Sequence, residues 1–259
     1  MSVLTFSSWI ETAPAWIVNL PEGLQTFIFQ LYQTFVYANR WTFFAEGLKI
    51  TFIVTICALA IGVIIGVIIA MVRTLYESYT ANKPPVILRV FNKIAELYLT
   101  IIRGTPMMVQ LLIMGFVVMQ PKTEAGSIIC GVITLGINSG AYVAEIVRSG
   151  LMSIPKGQTE AGRSLGFNYI QTMWYIVIPQ AIKNILPALG NEMITLLKDT
   201  SLVSVIALRD VTKQAQNIVS KTYSAMVPYI SLALIYLVIV IVITKLLDRL
   251  EKRLRKSEH

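Results

Sequence analysis

Between residues 50 and 72 the chain carries no charged side chain. That run is about as long as the roughly 20 residues a helix needs to cross a bilayer. A second apolar run covers 229–243. Apolar residues make up 55% of the chain and charged ones 14%, against about 25% charged in soluble domains. Too few charges remain to clothe the chain in a water-facing surface, so the sequence predicts an all-α integral membrane protein embedded in a lipid bilayer.

The net charge of +8 comes from basic residues scattered over short loops and the C-terminal tail. With no helix-turn-helix pattern and no basic-aromatic interleaving, nucleic-acid binding is excluded. Cys57 and Cys130 both sit in apolar stretches, where cysteine acts as a small hydrophobe, and nothing has metal-ligand spacing. The single histidine, His259, stands last in the chain. No basic-then-apolar leader opens the sequence, so a cleaved signal peptide is not expected.

Residues 1–40 read as an extracytoplasmic or interfacial segment, with 24–37 as an interfacial helix broken by Gln25, Gln30 and Gln33. Five transmembrane helices are expected within 41–247: about 48–72, a second built from 97–102 and 106–119, 128–147, 185–207 and 227–247. Gly62 and Gly66, four apart, suit close approach of another helix. In the second span Arg103, Gly104, Thr105 and Pro106 mark an interruption, with Thr105 as the N-cap before a proline. Residues 248–259 form a basic tail.

Lys and Arg counts orient these spans. One set of loops holds five between 73 and 103, four between 148 and 183 and six from 245 onward. The other set holds two, one and three. By the positive-inside bias the N-terminus lies outside and the C-terminus in the cytoplasm.

The most informative cytoplasmic stretch is 149–182. Pro155 and Gly157 end the preceding helix, and 159–165 are helix formers. Gly166 stands where a left-handed residue stops a helix, and Asn168 can cap the next. Ile170, Met173, Trp174 and Val177 would share a face of that second helix, and Pro179 would break it before the next span. The outcome is a cytoplasmic coupling helix-turn-helix, a handle for a soluble partner.

Glu160-Ala161-Gly162, then Gly166, then 176–179 ending in Pro179, resembles the EAA signature of ABC importer permeases. It departs at Gly162, where a third alanine is usual, and at Ile178, where leucine is. The stretches GAYVAEIVRSGLMSIPKGQTEAGRSLGF, RGTPMMVQL, LGNEMITLLKDTSLVS and GLKITF are similar to the polar-amino-acid branch (histidine, glutamine, glutamate, arginine, cystine and opines). The resemblance covers about 45–247. It implies a bacterial cytoplasmic membrane protein with no catalysis and no cofactor of its own. It also implies a cytoplasmic ABC ATPase dimer that binds ATP and Mg, a second permease subunit (homodimer or heterodimer) and an extracytoplasmic solute-binding protein. Glu160, Ala161, Gly162, Gly166 and Pro179 would couple to the ATPase. The chain lacks a phosphate-binding G-x-x-x-x-G-K-[ST] loop.

Charged groups inside spans cost about 2.5–3.5 kcal/mol each on insertion scales. At about 100° per residue, Asn191, Glu192, Thr195, Lys198 and Asp199 share an arc of roughly 120°. Two readings stand: the arc lines a solute passage with Glu192 on the ligand's ammonium group, or it is a structural network. Asn138 and Tyr142, one turn apart, and Gln110 either face the passage or bond between helices. Glu145 and Arg148 form a local pair or a gate at the inner end. Two rival functions are an ion-driven secondary transporter, which favours inverted repeats the chain does not display, and a non-transporting scaffold, which leaves the polar arc unused.

Overall fold

The computed structural model describes residues 4–79 and 83–255. The expectations for residue 1, for the middle of the 73–85 loop and for the end of the tail, His259 included, lie outside the described residues. The helices are α1 (Phe6–Ile10), α2 (Ala15–Val18), α3 (Glu22–Leu31), α4 (Trp41–Glu77), α5 (Val86–Gly104) and α6 (Met107–Ile113). Then follow α7 (Glu124–Met152), α8 (Lys156–Ser164), α9 (Tyr169–Thr172), α10 (Ile178–Asp199), α11 (Val211–Thr222) and α12 (Met226–Arg255). No strand occurs among the described residues.

Among the described residues three helices are long and apolar enough to cross a membrane: Trp41–Glu77, Glu124–Met152 and Met226–Leu254. The pair Val86–Gly104 and Met107–Val118, bent by 104°, makes a fourth if it counts as one span. With 22 residues, α10 has the length to cross but too many polar side chains to pass the same test. By length and composition the structure thus delineates three or four spans where five are expected.

The helix ends also differ from expectation. Thr123 caps α7, its hydroxyl accepting from the Gly126 amide at 3.1 Å, so that helix starts inside the expected loop. Helix α10 ends at Asp199, and Thr200–Ile206 tighten into a 3₁₀ turn rather than completing a span to 207. There the Thr200 and Ser204 hydroxyls bond carbonyls three residues back, at 2.6 and 3.0 Å, and so compete with a longer helix. At the other end of the chain α12 continues through Arg255, so the basic tail begins as helix.

The most extensive helix pair is α4 with α7. Its seam is built from small residues, as apposed membrane helices require. A Cβ on Gly66 would stand 2.6 Å from Val143 Cβ, and one on Gly62 would stand 2.9 Å from Ser139 Oγ. Across the seam Ile61 and Ile65 fill the space left by Gly136 and Gly140. Around this pair a core of Val54, Ala58, Leu111, Leu135, Leu196 and Val203 joins α4, α6, α7 and α10.

Asp210, fully buried, caps α11 by accepting from the Thr212 and Lys213 amides at 3.0 and 2.9 Å. Burial pushes its carboxyl up to about 6, against the opposing pull of those amides. Thr51 of α4 accepts from the Val211 amide at 3.3 Å, which seats α11 on the N-terminal half of α4.

Two glutamines of the N-terminal segment, Gln25 and Gln33, bond back to its own backbone. Gln25 donates to the Val18 and Leu20 carbonyls, and Gln33 donates to Leu4 O at 2.9 Å. Buried Arg40 donates to Gln33 O at 2.8 Å. These bonds fold 4–40 around Trp9, Ile17 and Phe29 into a small cap of its own.

Candidate functional site: a polar cavity, an ion-pair cluster and a helical knob

The bend after α5 positions the first wall of the site. Pro106 has no N–H to continue α5, and Thr105 is extended at φ −119° and ψ 143°. Thr105 does not cap α6. Its hydroxyl donates back to Ile101 O at 2.8 Å, and Pro106 occupies the cap position. Gln110 closes the corner: its Nε2 donates to Ile102 O and to Thr105 Oγ1, both at 2.8 Å. Its Oε1 accepts from Asn138 Nδ2 at 3.0 Å, which ties the corner to α7.

Between this corner, α7 and α10 lies a cavity of about 170 Å³. Thr105 and Met107 line it from the corner, and Asn138 and Tyr142 from α7. Glu192, Thr195, Leu196 and Asp199 line it from α10. Asn191 and Lys198 are exposed and outside this lining, and Gln110 stands behind Asn138. The Glu192 carboxylate accepts from Ser139 Oγ at 2.7 Å. Ser139 is itself fully buried, against Gly62 of α4. A glycine on one helix, a serine on the second and an acid on the third therefore form one packed line. Ser139 was not a candidate from sequence, because a lone serine among small residues signals packing and nothing more.

A cluster of charges sits next along α7, toward its C-terminus. Arg148 pairs with Glu145 and lies 3.7 Å from Glu77, which is itself 3.7 Å from Arg73. Arg103 reaches Glu145 at 4.0 Å and lies over the Tyr142 ring at 5.8 Å. The pair expected within α7 is thus part of a network that ties α4 and α5 to α7. Arg73 and Glu77 are four apart in sequence, a helical ion-pair spacing that could have flagged them.

The stretch after α7 forms a knob. Gly157 lies in the first turn of α8, not at the end of α7; Pro155 occupies the cap position, and the preceding helix stops at Met152. Gly166 takes φ +85°, a conformation that side-chain-bearing residues rarely adopt. Asn168 and Gln171 then make a reciprocal capping box. A Cβ on Gly162 would meet Thr172 Cγ2 at 2.8 Å and Ile176 Cδ1 at 2.9 Å, so the two knob helices touch there. The expected shared face splits. Val177 is buried, while Ile170 and Trp174 are 76% and 66% exposed, beside exposed Leu165 and Tyr175.

Pro179 does not break the chain into two helices. The turn Met173–Val177 is a π turn in which the Ile178 amide bonds Met173 O, and α10 follows without a gap. The wider turn absorbs the missing proline N–H, so the helix goes on. From Tyr169 to Asp199 the chain is continuously helical, joining the knob to the acidic cavity wall.

An all-helical unit with a bent span, a small-residue seam, a polar cavity and a projecting knob defines a membrane permease domain. Residues 86–256 match the family model described as binding-protein-dependent transport system inner membrane component. The chain is 36% identical to the glutamine transport system permease protein GlnP of Escherichia coli (strain K12) over 218 residues, 81% of this chain and 92% of that one. It is also 36% identical to the arginine transport system permease protein ArtQ of Bacillus subtilis (strain 168), covering 83% and 94% of the two chains. A crystal structure of an amino acid ABC transporter with histidines superposes with a TM-score of 0.72 at 43% identity, over 82% of this chain and 94% of that one. The inward-facing MetNI methionine ABC transporter, at 18% identity and a TM-score of 0.68 over 85% and 99%, shares the fold.

The chain belongs to the family of binding-protein-dependent transport system inner membrane components. It is a permease subunit of an ATP-binding-cassette importer and not an enzyme.

Proposed function

We propose that the chain carries a polar amino acid across the bacterial cytoplasmic membrane through the cavity lined by Glu192, Asp199, Thr195, Asn138 and Tyr142. The observation that carries the reading is the cavity itself. In a chain this apolar, two acids and three further polar side chains converge from α7 and α10 on one volume of about 170 Å³. Acids at membrane depth face protein or a water-filled path, and an amino acid always brings an ammonium group to meet them. The names of the relatives, glutamine and arginine permeases, support that cargo class.

In this reading α10 is the fifth span, its polar arc turned to protein. The N-terminus lies outside and the knob of α8 and α9 in the cytoplasm, as the basic bias of the loops supports. The knob, built around Glu160, Ala161, Gly162 and Gly166, docks on the ATPase dimer, which holds ATP and Mg. Its exposed Leu165, Ile170, Trp174 and Tyr175 supply apolar contact area. Because α9, the second helix of the knob, runs without a break into α10, closure of the ATPase pair moves the acidic wall of the cavity directly. Each nucleotide state then favours one facing of the passage. A second permease subunit and a solute-binding protein complete the importer.

Two measurements test this reading. Reporter fusions are expected to place residue 259 inside and residue 1 outside; a cytoplasmic N-terminus removes the placement of the knob. Uptake of L-glutamine, L-arginine or L-histidine by the reconstituted complex is expected to require ATP and to survive a protonophore. Uptake that collapses with the proton gradient in the presence of ATP identifies a secondary transporter instead.

A further inference from the structure

We propose that the cavity of about 500 Å³ between α4, α5 and α7 is a second station for the transported amino acid, where Arg73 and Arg103 take its carboxylate. The proposal rests on the transport reading above and adds to it where the solute goes after the Glu192 cavity. Arg73 stands in the wall of this larger cavity, and its Nε is buried with no hydrogen-bond acceptor. Among the described residues the only other such side-chain atom is Thr74 Oγ1, next in sequence. Arg73 Nε is shielded from the cavity as it is from solvent, so the donors Arg73 can offer an oxyanion are its terminal nitrogens, of which Nη2 lies 3.7 Å from Glu77, longer than a hydrogen bond.

Arg103 faces the same volume. Its one ion pair among the described residues, to Glu145, is stretched to 4.0 Å, and its side chain is 44% exposed. The fork of a guanidinium suits a carboxylate, and two forks across one cavity can grip both of its oxygens. Gly104, also in the wall, has nothing within 4 Å of where a Cβ would stand, so the wall is open at that point.

Two features select a zwitterion over a simple anion. Glu96 lines the same cavity and offers an ammonium group a counter-charge. Tyr142 lines both cavities, so the two volumes meet at one residue. The first cavity is acidic, with Glu192 and Asp199; the second holds two arginines beside Glu96. An amino acid passing from the first to the second exchanges a hold on its ammonium group for a hold on its carboxylate. An acidic lipid headgroup shares the oxyanion chemistry but explains neither Glu96 nor the shared tyrosine.

The test is equilibrium binding to the intact complex in phosphatidylcholine nanodiscs, with radiolabelled L-glutamine, L-arginine and L-histidine each used as probe. For the amino acid that is transported, wild type is expected to bind two equivalents per permease chain. Arg73→Gln is expected to keep one equivalent and to weaken the other by about tenfold or more, as loss of a charge-assisted hydrogen bond implies. The retained equivalent shows that the variant is folded, and Arg103→Gln is expected to weaken the same equivalent. Agmatine and histamine, which lack the carboxylate, are expected to fill one site only. Two full-strength equivalents in both arginine variants overturn the proposal. So does phosphatidylglycerol seen by native mass spectrometry to depend on Arg73 while amino-acid binding does not. ATP-driven uptake with a single equivalent in wild type overturns the second station alone. No bound amino acid and no ATP-driven uptake overturn the transport reading, and the station with it.

Discussion

Gly162→Leu is expected to leave the protein inserted in the membrane and to abolish ATP-driven uptake, a loss of at least about tenfold. Any side chain at 162 meets Thr172 and Ile176 of the facing helix at under 3.0 Å, and Thr172 cannot move aside. Thr172 is fully buried, and its hydroxyl bonds Asn168 O at 2.9 Å. Overpacking of this kind costs about 1–3 kcal/mol, enough to splay a two-helix knob that has little other core. Gly166→Val adds an independent test, because φ +85° costs a side-chain-bearing residue roughly 1–2 kcal/mol though the space around it is open. The spans lie elsewhere, so both variants are expected at normal levels in the membrane fraction. Wild-type uptake by Gly162→Leu, with the ATPase still co-purifying, sinks the coupling role of the knob.

Glu192→Gln is expected to raise the half-saturating amino-acid concentration by roughly ten- to a hundredfold, the equivalent of about 1.5–3 kcal/mol for a charge-assisted hydrogen bond. One carboxylate oxygen accepts from Ser139, and the other has no hydrogen-bond partner among the described residues. The substitution keeps size and shape, so the seam of Gly62, Ser139 and residue 192 stays packed. An analogue without the amino group is expected to lose no affinity in the variant, since it never used the charge. Concentration-dependent uptake by matched proteoliposomes measures both. Equal half-saturation and rate for wild type and variant place Glu192 in the structural network.

The membrane class, the small-residue contact at Gly62 and Gly66, the helix stop at Gly166 and the cap at Asn168 were all legible in the sequence. Each is decided by a residue's own backbone preference, size or polarity within a few positions. The motif around 160–179 carried the family for the same reason, since its residues are close together in the chain. Helix α11 was also announced locally, by Asp210 ahead of its first turn, but its polar residues read as a loop because nothing local says what covers them.

Where separate helices must meet, sequence was silent. Whether Pro179 ends a helix depends on whether a π turn can absorb its missing N–H, and here that turn lets the knob run straight into α10. Gln110 could face a passage or brace a corner; the acceptors that claim its amide came into reach only when the chain bent by 104°. Helical periodicity placed Glu192 and Asp199 on one arc. Only packing showed that Asn138, Tyr142 and Thr105 face that arc while Asn191 and Lys198 do not. Arg73, 119 positions from Glu192, comes to line a cavity with Tyr142 because two glycines let α4 approach α7 closely. Local sequence fixes what each helix is, and the contacts between distant helices decide which of its polar groups share a cavity.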